Sequence, residues 1–369
     1  MKLNSNQQAF IALVKAGLWE KDNLLSPSDI IDFKEVLRIA EEQSVVGLLA
    51  AGIEYVKDVR IPQADVLTIA GRALQIEQQN IAMNQFVAEL FEKLRNENIY
   101  AVLVKGQGIA QCYEKPLWRA SGDVDLLLDE ENYEKAKVIL FPLADHVEEE
   151  DKKAKHQGLT IEGFSVELHG RMPFAMSSRV DRVVDDVIKD SLSDGGTRTW
   201  QNGDTEISLP KVDNDIIIVF THLLHHFFIE GVGLRQICDW CRLLWTYRNE
   251  IDCNLLEKRL YEMDLTSEWK VFASLAVKTL GMPVEAMPFY YKGKYDKKAQ
   301  RVLKRVLKTG NFGHNKDASY RTNKSKLVVN GITFGRRFCD FVSIAPSFPI
   351  DAPKFFVSYV FNRLKSTAA

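Results

Sequence analysis

Apolar positions recur every three or four residues over two long stretches of the chain, residues 1–97 and 211–369. That spacing places the apolar side chains on one face of a helix, so both stretches are predicted to be helical. The clearest pattern opens at Pro62 and predicts one long helix that ends near Asn96-Glu97-Asn98. The predicted buried stripe of this helix consists of Ala64, Leu67, Ala70, Leu74, Ile76, Ile81, Met83, Phe86, Leu90 and Leu94.

Capping and breaking residues divide these stretches into separate helices. Ser26-Pro27-Ser28-Asp29 is typical of a helix start, with proline inside the first turn. Beyond residue 211, helical spacing covers 213–228, 234–247, 254–263 and 267–280, and prolines then interrupt it. Residues 310–325 are predicted to form a polar loop, and further helices to follow it up to Leu364.

Short apolar runs of strand length replace the helical spacing between residues 98 and 210. Strands are predicted over 100–104 and 124–128 and a helix over 130–140. Two hairpins are predicted, one about Glu162-Gly163 and one about Asn202-Gly203. The charge run over 145–155 is predicted to be a solvated loop or a sheet edge. We therefore expect an α+β protein with an N-terminal helical region (1–97), an α/β core (98–210) and a C-terminal helical domain (211–369).

Composition and charge narrow the class of protein. The chain has 369 residues, 46% of them hydrophobic, and a formal net charge of −2. This balance disfavours a broad nucleic-acid surface and leaves a local groove open. No apolar run approaches the ~20 residues that span a bilayer, and no N-terminal stretch resembles a signal peptide. We expect a cytoplasmic protein that does not contact membranes.

The five cysteines are irregularly spaced, as in a protein of a reducing compartment. Cys238-Asp239-Trp240-Cys241 has the spacing of a redox motif or of half a zinc site. A complete zinc site needs two further ligands, and His222, His225 and His226 lie only a few turns earlier. Because the segment reads as continuous helix without a second cysteine pair, core thiols are the favoured interpretation.

The stretch Ser121-Gly122-Asp123-Val124-Asp125 carries the main candidate chemistry. Side chains alternate along a strand, so Asp123 and Asp125 share one face while Val124 points to the other. Two adjacent carboxylates repel each other, and a divalent cation removes that penalty. Mg²⁺ takes such oxygen ligands together with substrate phosphates. Alone, the pattern also fits two exposed aspartates on a loop.

Two earlier features strengthen the metal interpretation. Lys105-Gly106-Gln107-Gly108 lies after one predicted strand and before a short helix. Glycines allow close backbone approach, and a helix N-terminus favours an anion such as phosphate. Arg119 lies just before the aspartate strand, where it is either a solvated loop residue or a phosphate contact.

The strand Phe164–Leu168 supplies a third carboxylate. Ser165, Glu167 and His169 share its polar face, so Glu167 can complete a two-metal cluster with the two aspartates. His169 is a candidate for orienting substrate or a metal-bound water, and a surface histidine is the alternative.

The ordered set Lys105-Gly106-x-Gly108, Arg119, Asp123-x-Asp125 and Glu167-Leu168-His169 resembles the polymerase-beta-like nucleotidyltransferase superfamily. It is most similar to a bacterial branch described as uncharacterised nucleotidyltransferases, over residues 98–210. A weaker likeness continues through 231–235 and 239–240. The resemblance implies a small mixed sheet backed by helices and transfer of a nucleoside monophosphate from a nucleoside triphosphate (NTP), expected to be ATP, to a hydroxyl of a small molecule or protein.

The resemblance also implies roles for single residues. Asp123 and Asp125 would bind both Mg²⁺ ions, with Mn²⁺ as an alternative. Glu167 would bind the catalytic metal and act as base or electrostatic positioner. The Gly106 to Gly108 backbone would hold the β- and γ-phosphates, while Lys105 or Arg119 neutralises developing charge.

One residue departs from the family pattern. Gln107 stands where the superfamily commonly has a small residue that contacts phosphate. This departure motivates an alternative, a catalytically weak nucleotide-binding module. The long stretch from Pro62 to Leu94 motivates another, a helical interaction protein. Convergence of the three carboxylates would speak against the second alternative.

The C-terminal helices contribute polar groups of open role. His222, His225 and His226 lie about one turn apart on one predicted helix. Arg235 and Asp239 are four residues apart on the next, where they form an ion pair with each other or line the cleft. The pattern indicates neither the acceptor nor the oligomeric state.

Overall fold

The computed structural model describes residues 3–25, 30–174, 176–313 and 326–367. The chain begins with helices α1 (Ser5–Trp19), α2 (Phe33–Glu42), α3 (Val46–Ile53) and α4 (Gln63–Asn96). The helix start expected at Ser26-Pro27-Ser28-Asp29 lies outside the described residues. Helix α2 begins at Phe33, where the Asp32 side chain accepts backbone N–H groups as a cap.

Helix α4 has the predicted limits but only half of the predicted buried stripe. Its C-terminal half buries apolar residues from Met83 to Leu94. In its N-terminal half, Leu67, Leu74 and Ile81 are exposed, and the buried side chains belong to Ile69, Ala73 and Asn80. The prediction was wrong there because apolar residues occupy both faces of the helix. The neighbouring helices cover the face that carries Ile69 and Ala73, and not the predicted one.

A mixed five-stranded sheet forms the α/β core, in the order β1-β2-β5-β4-β3. Its strands are β1 (Val102–Val104), β2 (Val124–Leu127), β3 (His146–Val147), β4 (His156–Ile161) and β5 (Phe164–His169). Strands β2 and β5 are parallel and the other neighbours antiparallel. The charge run over 145–155 includes the edge strand β3, as expected. Helices α5 (Gly106–Ala110), α6 (Glu130–Leu140) and α7 (Ser178–Ser191) connect the strands.

Both predicted hairpins are present. Glu162 and Gly163 form the β4–β5 turn with φ of 52° and 78°. The second hairpin pairs β6 (Thr197–Asn202) with β7 (Thr205–Pro210). Its turn lies one residue later than predicted, because Asn202 still pairs with Thr205.

Helices return after residue 211, close to the predicted limits. They are α8 (Val212–Ile229), α9 (Leu234–Thr246), α10 (Cys253–Met263), α11 (Thr266–Lys278), α12 (Asp296–Thr309), α13 (Lys326–Ile344) and α14 (Asp351–Thr367). Most of the polar loop expected over 310–325 lies outside the described residues. Within the described residues, α8 is the one helix long and apolar enough to cross a membrane, and most of it is buried inside the protein. Cys238 and Cys241 are buried free thiols on α9, which confirms their interpretation as core residues.

These elements make an α+β fold, as predicted, with two apolar cores. One core lies between the sheet, the C-terminal half of α4, helix α6 and the β6–β7 hairpin. The larger core joins the N-terminal helices to α7 and to the helices after residue 211. One sheet face is therefore covered by α4 and α6, and the other carries Asp125 and Glu167. The division into three domains stays a prediction.

Candidate active site

Three carboxylates meet on the sheet face that is turned away from α4 and α6. Asp123 precedes β2, Asp125 lies within it, and Glu167 lies on β5. Because Asp125 stands opposite Glu167 in the parallel pairing, their side chains leave the sheet side by side. One oxygen from each of the three carboxylates lies within 4.8 Å of the others. Val124 and Leu126 point to the opposite face, where they are fully buried.

The three carboxylates influence one another electrostatically. Asp125, together with burial, raises the pKa of Asp123. Burial also acts to raise the pKa of Asp125, but the Lys105 ammonium and a hydrogen bond from His169 outweigh it, so this pKa is lowered. A divalent cation among these oxygens would relieve the repulsion.

Lys105 supplies positive charge directly at the cluster. Its Nζ lies 2.7 Å from Asp125 Oδ1 and 3.4 Å from His222 Nε2. Burial acts to lower the pKa of Lys105, but Asp125 and Asp123 raise it more, and the ammonium form is favoured. The residue has a φ of 59°, which is uncommon for a residue with a side chain. The turn thus places the ammonium on Asp125 at the cost of backbone strain.

Two histidines flank Glu167 on the β4–β5 hairpin. His169 Nε2 lies 2.8 Å from Asp125 Oδ1 and 3.3 Å from Glu167 Oε2. His156 Nε2 lies 3.2 Å from the same oxygen of Glu167. Burial acts to raise the pKa of Glu167, but the two histidines lower it more, and the carboxylate stays ionised. Sequence reasoning missed His156, although counting back from the Glu162-Gly163 turn pairs it with His169.

The turn after β1 brings backbone, not the Gln107 side chain, towards the carboxylates. Gly106 has a φ of 40°, and a Cβ there would lie 3.3 Å from the carbonyl oxygen of Asp123. The buried Gln107 side chain donates to Asn84 Oδ1 on α4 at 2.6 Å. A Cβ at Gly108 would lie 2.7 Å from Leu209 Cδ2, so this glycine leaves room for strand β7.

Arg119 is buried rather than solvated. Its Nε and Nη2 donate to the two carboxylate oxygens of Asp239 at 2.9 and 2.8 Å. The Tyr113 hydroxyl donates to Asp239 Oδ1 at 2.7 Å. Asn80 on α4 holds the loop in place by donating to the carbonyl oxygens of Leu117 and Arg119 at 2.7 and 2.8 Å. The Arg119 guanidinium is therefore bound to Asp239 of helix α9.

Arg235 and Asp239 do not form the i,i+4 ion pair that was one of two predictions for them. Asp239 faces Arg119 instead, and Arg235 Nη1 donates to the carbonyl oxygen of Ala120 at 2.7 Å. Arg235 Nε is buried without a hydrogen-bond partner among the described residues. A Cβ at Gly122 would lie at the ordinary contact distance of 3.7 Å from Arg235 Nη1, so the guanidinium lies against the loop that carries Asp123. Arg235 thus presents an unsatisfied donor next to the aspartates.

The histidines of α8 form a chain that reaches Lys105. His226 Nε2 lies 2.9 Å from His222 Nε2, and His226 Nδ1 lies 2.9 Å from Glu230 Oε2. Burial, with Lys105 nearby, lowers the pKa of His222 well below its usual value, which keeps the imidazole neutral. His225 instead bonds through Nδ1 to the carbonyl oxygen of Phe174 at 2.7 Å.

These groups surround one cleft between the sheet, α5, α8 and α9. Its lining comprises Lys105, Gly106, Ile109, Arg119, Gly122, Asp123, Asp125, Val219, His222, Arg235, Gln236 and Asp239. Of the C-terminal residues whose role the sequence left open, His222, Arg235 and Asp239 lie in this cleft beside the aspartates.

All of the cleft residues fall within a segment that matches a known family. The model of a family described as uncharacterised nucleotidyltransferase matches residues 29–281, more than half of the chain. The chain belongs to this family. It is therefore a nucleotidyltransferase, and an NTP is one of its substrates. Comparison of this nucleotidyltransferase with curated proteins and with solved structures finds no match.

Proposed function

We propose that this nucleotidyltransferase moves a nucleoside monophosphate from ATP to a hydroxyl of a small molecule or protein. Mg²⁺ is the proposed cofactor, with Mn²⁺ as the alternative. The observation that carries the proposal is the convergence of Asp123, Asp125 and Glu167, whose oxygens lie within 4.8 Å of one another beside a cleft.

The donor set suits a hard cation. Mg²⁺ binds through one or two carboxylates and substrate phosphate oxygens, and the three converging residues offer only oxygen ligands. We assign Asp123, Asp125 and Glu167 as the residues that hold it. When bound, the cation would neutralise charge on the reacting phosphate and orient it for in-line displacement.

The remaining cleft residues act on the triphosphate and the acceptor. In the transfer, the acceptor oxygen bonds to the α-phosphorus, and the bond from that phosphorus to the pyrophosphate oxygen breaks. Pyrophosphate leaves, and the acceptor proton passes by way of Glu167 to solvent. Glu167, held ionised by two histidines, receives a hydrogen bond from the acceptor hydroxyl and positions it. The backbone at Gly106 and the donors of Lys105 and Arg235 bind phosphate oxygens. Arg119 positions α9 through Asp239 instead of neutralising phosphate.

Two other functions have weaker support. A nucleotide-binding module without turnover was motivated by Gln107. Its side chain is turned towards Asn84, so it leaves the backbone at Gly106 exposed to the cleft. A purely helical interaction protein would require separated carboxylates, whereas these converge. A cytoplasmic location stays a prediction.

Nucleotide binding and turnover can be tested separately. ATP is titrated calorimetrically with and without Mg²⁺, and pyrophosphate release is followed over a panel of hydroxyl acceptors. We expect Mg²⁺ to tighten ATP binding, and Asp123→Asn with Asp125→Asn to weaken the Mg²⁺-dependent binding by at least about tenfold. Glu131→Gln, an exposed acidic position on α6, is the matched control. Unchanged Mg²⁺-dependent binding in the double variant would refute the assignment, and binding without pyrophosphate release would favour the module.

A further inference from the structure

We propose that His156, Glu167 and His169 form a second metal site, which takes a divalent transition-metal ion such as Co²⁺, Mn²⁺ or Zn²⁺. It adjoins the three-carboxylate cluster and shares Glu167 with it. The site differs in chemistry, since two of its three ligands are imidazole nitrogens. It does not depend on nucleotide transfer.

The distances around Glu167 match ligands that share an ion. His156 Nε2 and His169 Nε2 lie 3.2 and 3.3 Å from Glu167 Oε2. One ligand atom from each residue lies within 4.8 Å of the others. Atoms held about 2.1 Å from a metal are separated by roughly 3.0–3.4 Å in octahedral or tetrahedral arrangements.

A simple hydrogen-bonded ion pair explains these distances less well. Charge-assisted N–H···O bonds are typically about 2.7–2.9 Å long. Both imidazoles instead approach one oxygen of Glu167 at longer range, while His169 makes its short contact, 2.8 Å, with Asp125. A metal ion between the three atoms would bind the lone pair of His169 Nε2. Its binding therefore releases to solvent the proton that this nitrogen otherwise donates to Asp125, since a ligand nitrogen must be unprotonated.

The hairpin register places the three residues on one face of the sheet and leaves two of them partly exposed. His156 stands directly opposite His169 across the β4–β5 pair, and Glu167 and His169 share one face of β5. The His156 and Glu167 side chains are 32% and 29% exposed, so an ion can enter and keep a water ligand. Imidazole ligands favour transition metals over Mg²⁺, which separates this site from the oxygen-only cluster.

The test uses the full chain without nucleotide. Co²⁺ binding is titrated through its visible absorption, and Mn²⁺-loaded protein is examined by electron spin-echo spectroscopy for coupling to ligand nitrogen. We expect saturable Co²⁺ binding with nitrogen coupling, and His156→Asn to weaken Co²⁺ binding by about 10–100-fold. His146→Asn, an exposed histidine on the edge strand β3, should bind as the unaltered chain does. Absence of nitrogen coupling, or equal Co²⁺ affinity in His156→Asn, would overturn the proposal.

Two variants distinguish metal binding at this second site from metal binding at the carboxylate cluster. Asp123→Asn with Asp125→Asn should retain nitrogen coupling while losing Mg²⁺-dependent ATP binding. His156→Asn should keep its thermal unfolding midpoint, which excludes loss of the fold as the cause. If nitrogen coupling disappears with the aspartates, the metal belongs to the carboxylate cluster and the second site is refuted.

An independent observation concerns the C-terminal part of the chain, where charge is strongly partitioned. Residues 282–369 hold 17 Lys and Arg against 5 Asp and Glu, whereas residues 1–281 hold 31 against 45. The family match ends at residue 281, so the basic segment follows it directly. The net charge of −2 for the whole chain is therefore the sum of a positively charged C-terminal segment and a negatively charged body.

The basic segment also exposes an apolar stripe. On α13, Val328, Phe334, Phe338 and Val342 lie within one third of the helix circumference and are 43–55% exposed. Lys304, Lys308 and Arg336 line the adjoining groove between α12 and α13. Exposed apolar residues flanked by cations characterise helices that lie on anionic lipid surfaces.

We infer that the α12–α13 face docks on an anionic membrane surface, which departs from the expectation from sequence that the protein does not contact membranes. Docking of the same face from a second copy of the chain is disfavoured because the two surfaces carry the same charge. Docking of the anionic body of a second copy would appear as salt-sensitive self-association in the absence of vesicles, and that result would overturn the inference. RNA is disfavoured because half of the stripe is valine, which offers no stacking surface to bases. Lipid suits both the aliphatic residues and the cations.

Vesicle sedimentation tests this surface. We expect the full chain to pellet with vesicles of phosphatidylcholine and phosphatidylglycerol, not with phosphatidylcholine alone, and to be released by salt. Phe338→Ser should reduce the pelleted fraction severalfold, and Tyr261→Ser, a 79% exposed position on α10, should not. An equal pelleted fraction with both vesicle types would overturn the inference. So would a chain that binds no vesicles but binds RNA, with an RNA affinity that Phe338→Ser leaves unchanged.

Discussion

Arg119 and Asp239 form a buried two-pronged ion pair that joins the loop before β2 to helix α9. Their contacts of 2.9 and 2.8 Å link residues 120 positions apart in the chain. Burial acts to lower the pKa of Arg119, but Asp239 raises it more, so the guanidinium stays charged. The pair therefore sets the position of α9, and with it Arg235, relative to the aspartates.

Removing one partner of this pair should destabilise the fold strongly. Arg119→Ala leaves the Asp239 carboxylate buried without its cation, and we expect a loss of about 3–5 kcal/mol in the free energy of unfolding. Urea denaturation measures it. Lys57→Ala, which removes an exposed ion pair with Asp22, should cost less than about 1 kcal/mol.

The double variant Arg119→Met with Asp239→Leu tests the same coupling. Replacing both charges should cost less than the two single changes together, by at least about 1 kcal/mol. Additive losses would mean that the two side chains contribute independently to stability.

Gln107 should matter for stability and not for the phosphate site. Gln107→Ser restores the small residue common in the superfamily but removes the bond to Asn84, so we expect a loss of about 1–3 kcal/mol in stability. ATP affinity with Mg²⁺ should stay within about twofold. Lys105→Met should show the reverse pattern, with weaker ATP binding. A large gain in ATP affinity in Gln107→Ser would mean that the glutamine does obstruct the phosphates.

Local patterns predicted the elements because helix and strand spacing is a property of neighbouring residues. The limits of α4, α6 and β2, and the shared face of Asp123 and Asp125, follow from period and alternation. The convergence of Asp125 with Glu167 was expected from the family resemblance and depends on the β2–β5 pairing. To place His156 at the site, the register of the β4–β5 hairpin is needed as well, because only its partner His169 lies in the recognised motif.

Contacts between distant segments could not be predicted in this way. The spacing of Arg235 and Asp239 allows an i,i+4 pair, but Arg119 competes for the same carboxylate from another element. The apolar residues Leu67, Leu74 and Ile81 have helical spacing, yet which face of α4 is covered depends on how α3 packs. The direction of the Gln107 side chain likewise depends on α4, which lies outside its motif.

Gly106 should be required for its conformation and for its place against β2. Alanine at a φ of 40° costs about 1–2 kcal/mol, and its Cβ would lie 3.3 Å from the Asp123 carbonyl oxygen. Gly163→Ala is the matched control, with a φ of 78° and open space around it. Both variants should lose stability in thermal unfolding, but only Gly106→Ala should weaken Mg²⁺-dependent ATP binding. Equal Mg²⁺-dependent ATP affinity in Gly106→Ala and Gly163→Ala would mean that Gly106 is not part of the ATP site.

Glu268 should make the fold less stable as the pH rises. It is fully buried on α11, beside the carboxyl group of Asp351. Burial, and secondarily the neighbouring Asp351, raises its pKa well above the usual 4.5. The folded chain therefore holds a proton that the unfolded chain releases above about pH 4.5, and stability falls from there up to the raised pKa, by at most about 1.4 kcal/mol per pH unit. Glu268→Gln should remove this slope in urea denaturation measured from pH 5 to 8, whereas Glu257→Gln, exposed on α10, should keep it. An unchanged slope in Glu268→Gln would assign the pH dependence to other groups.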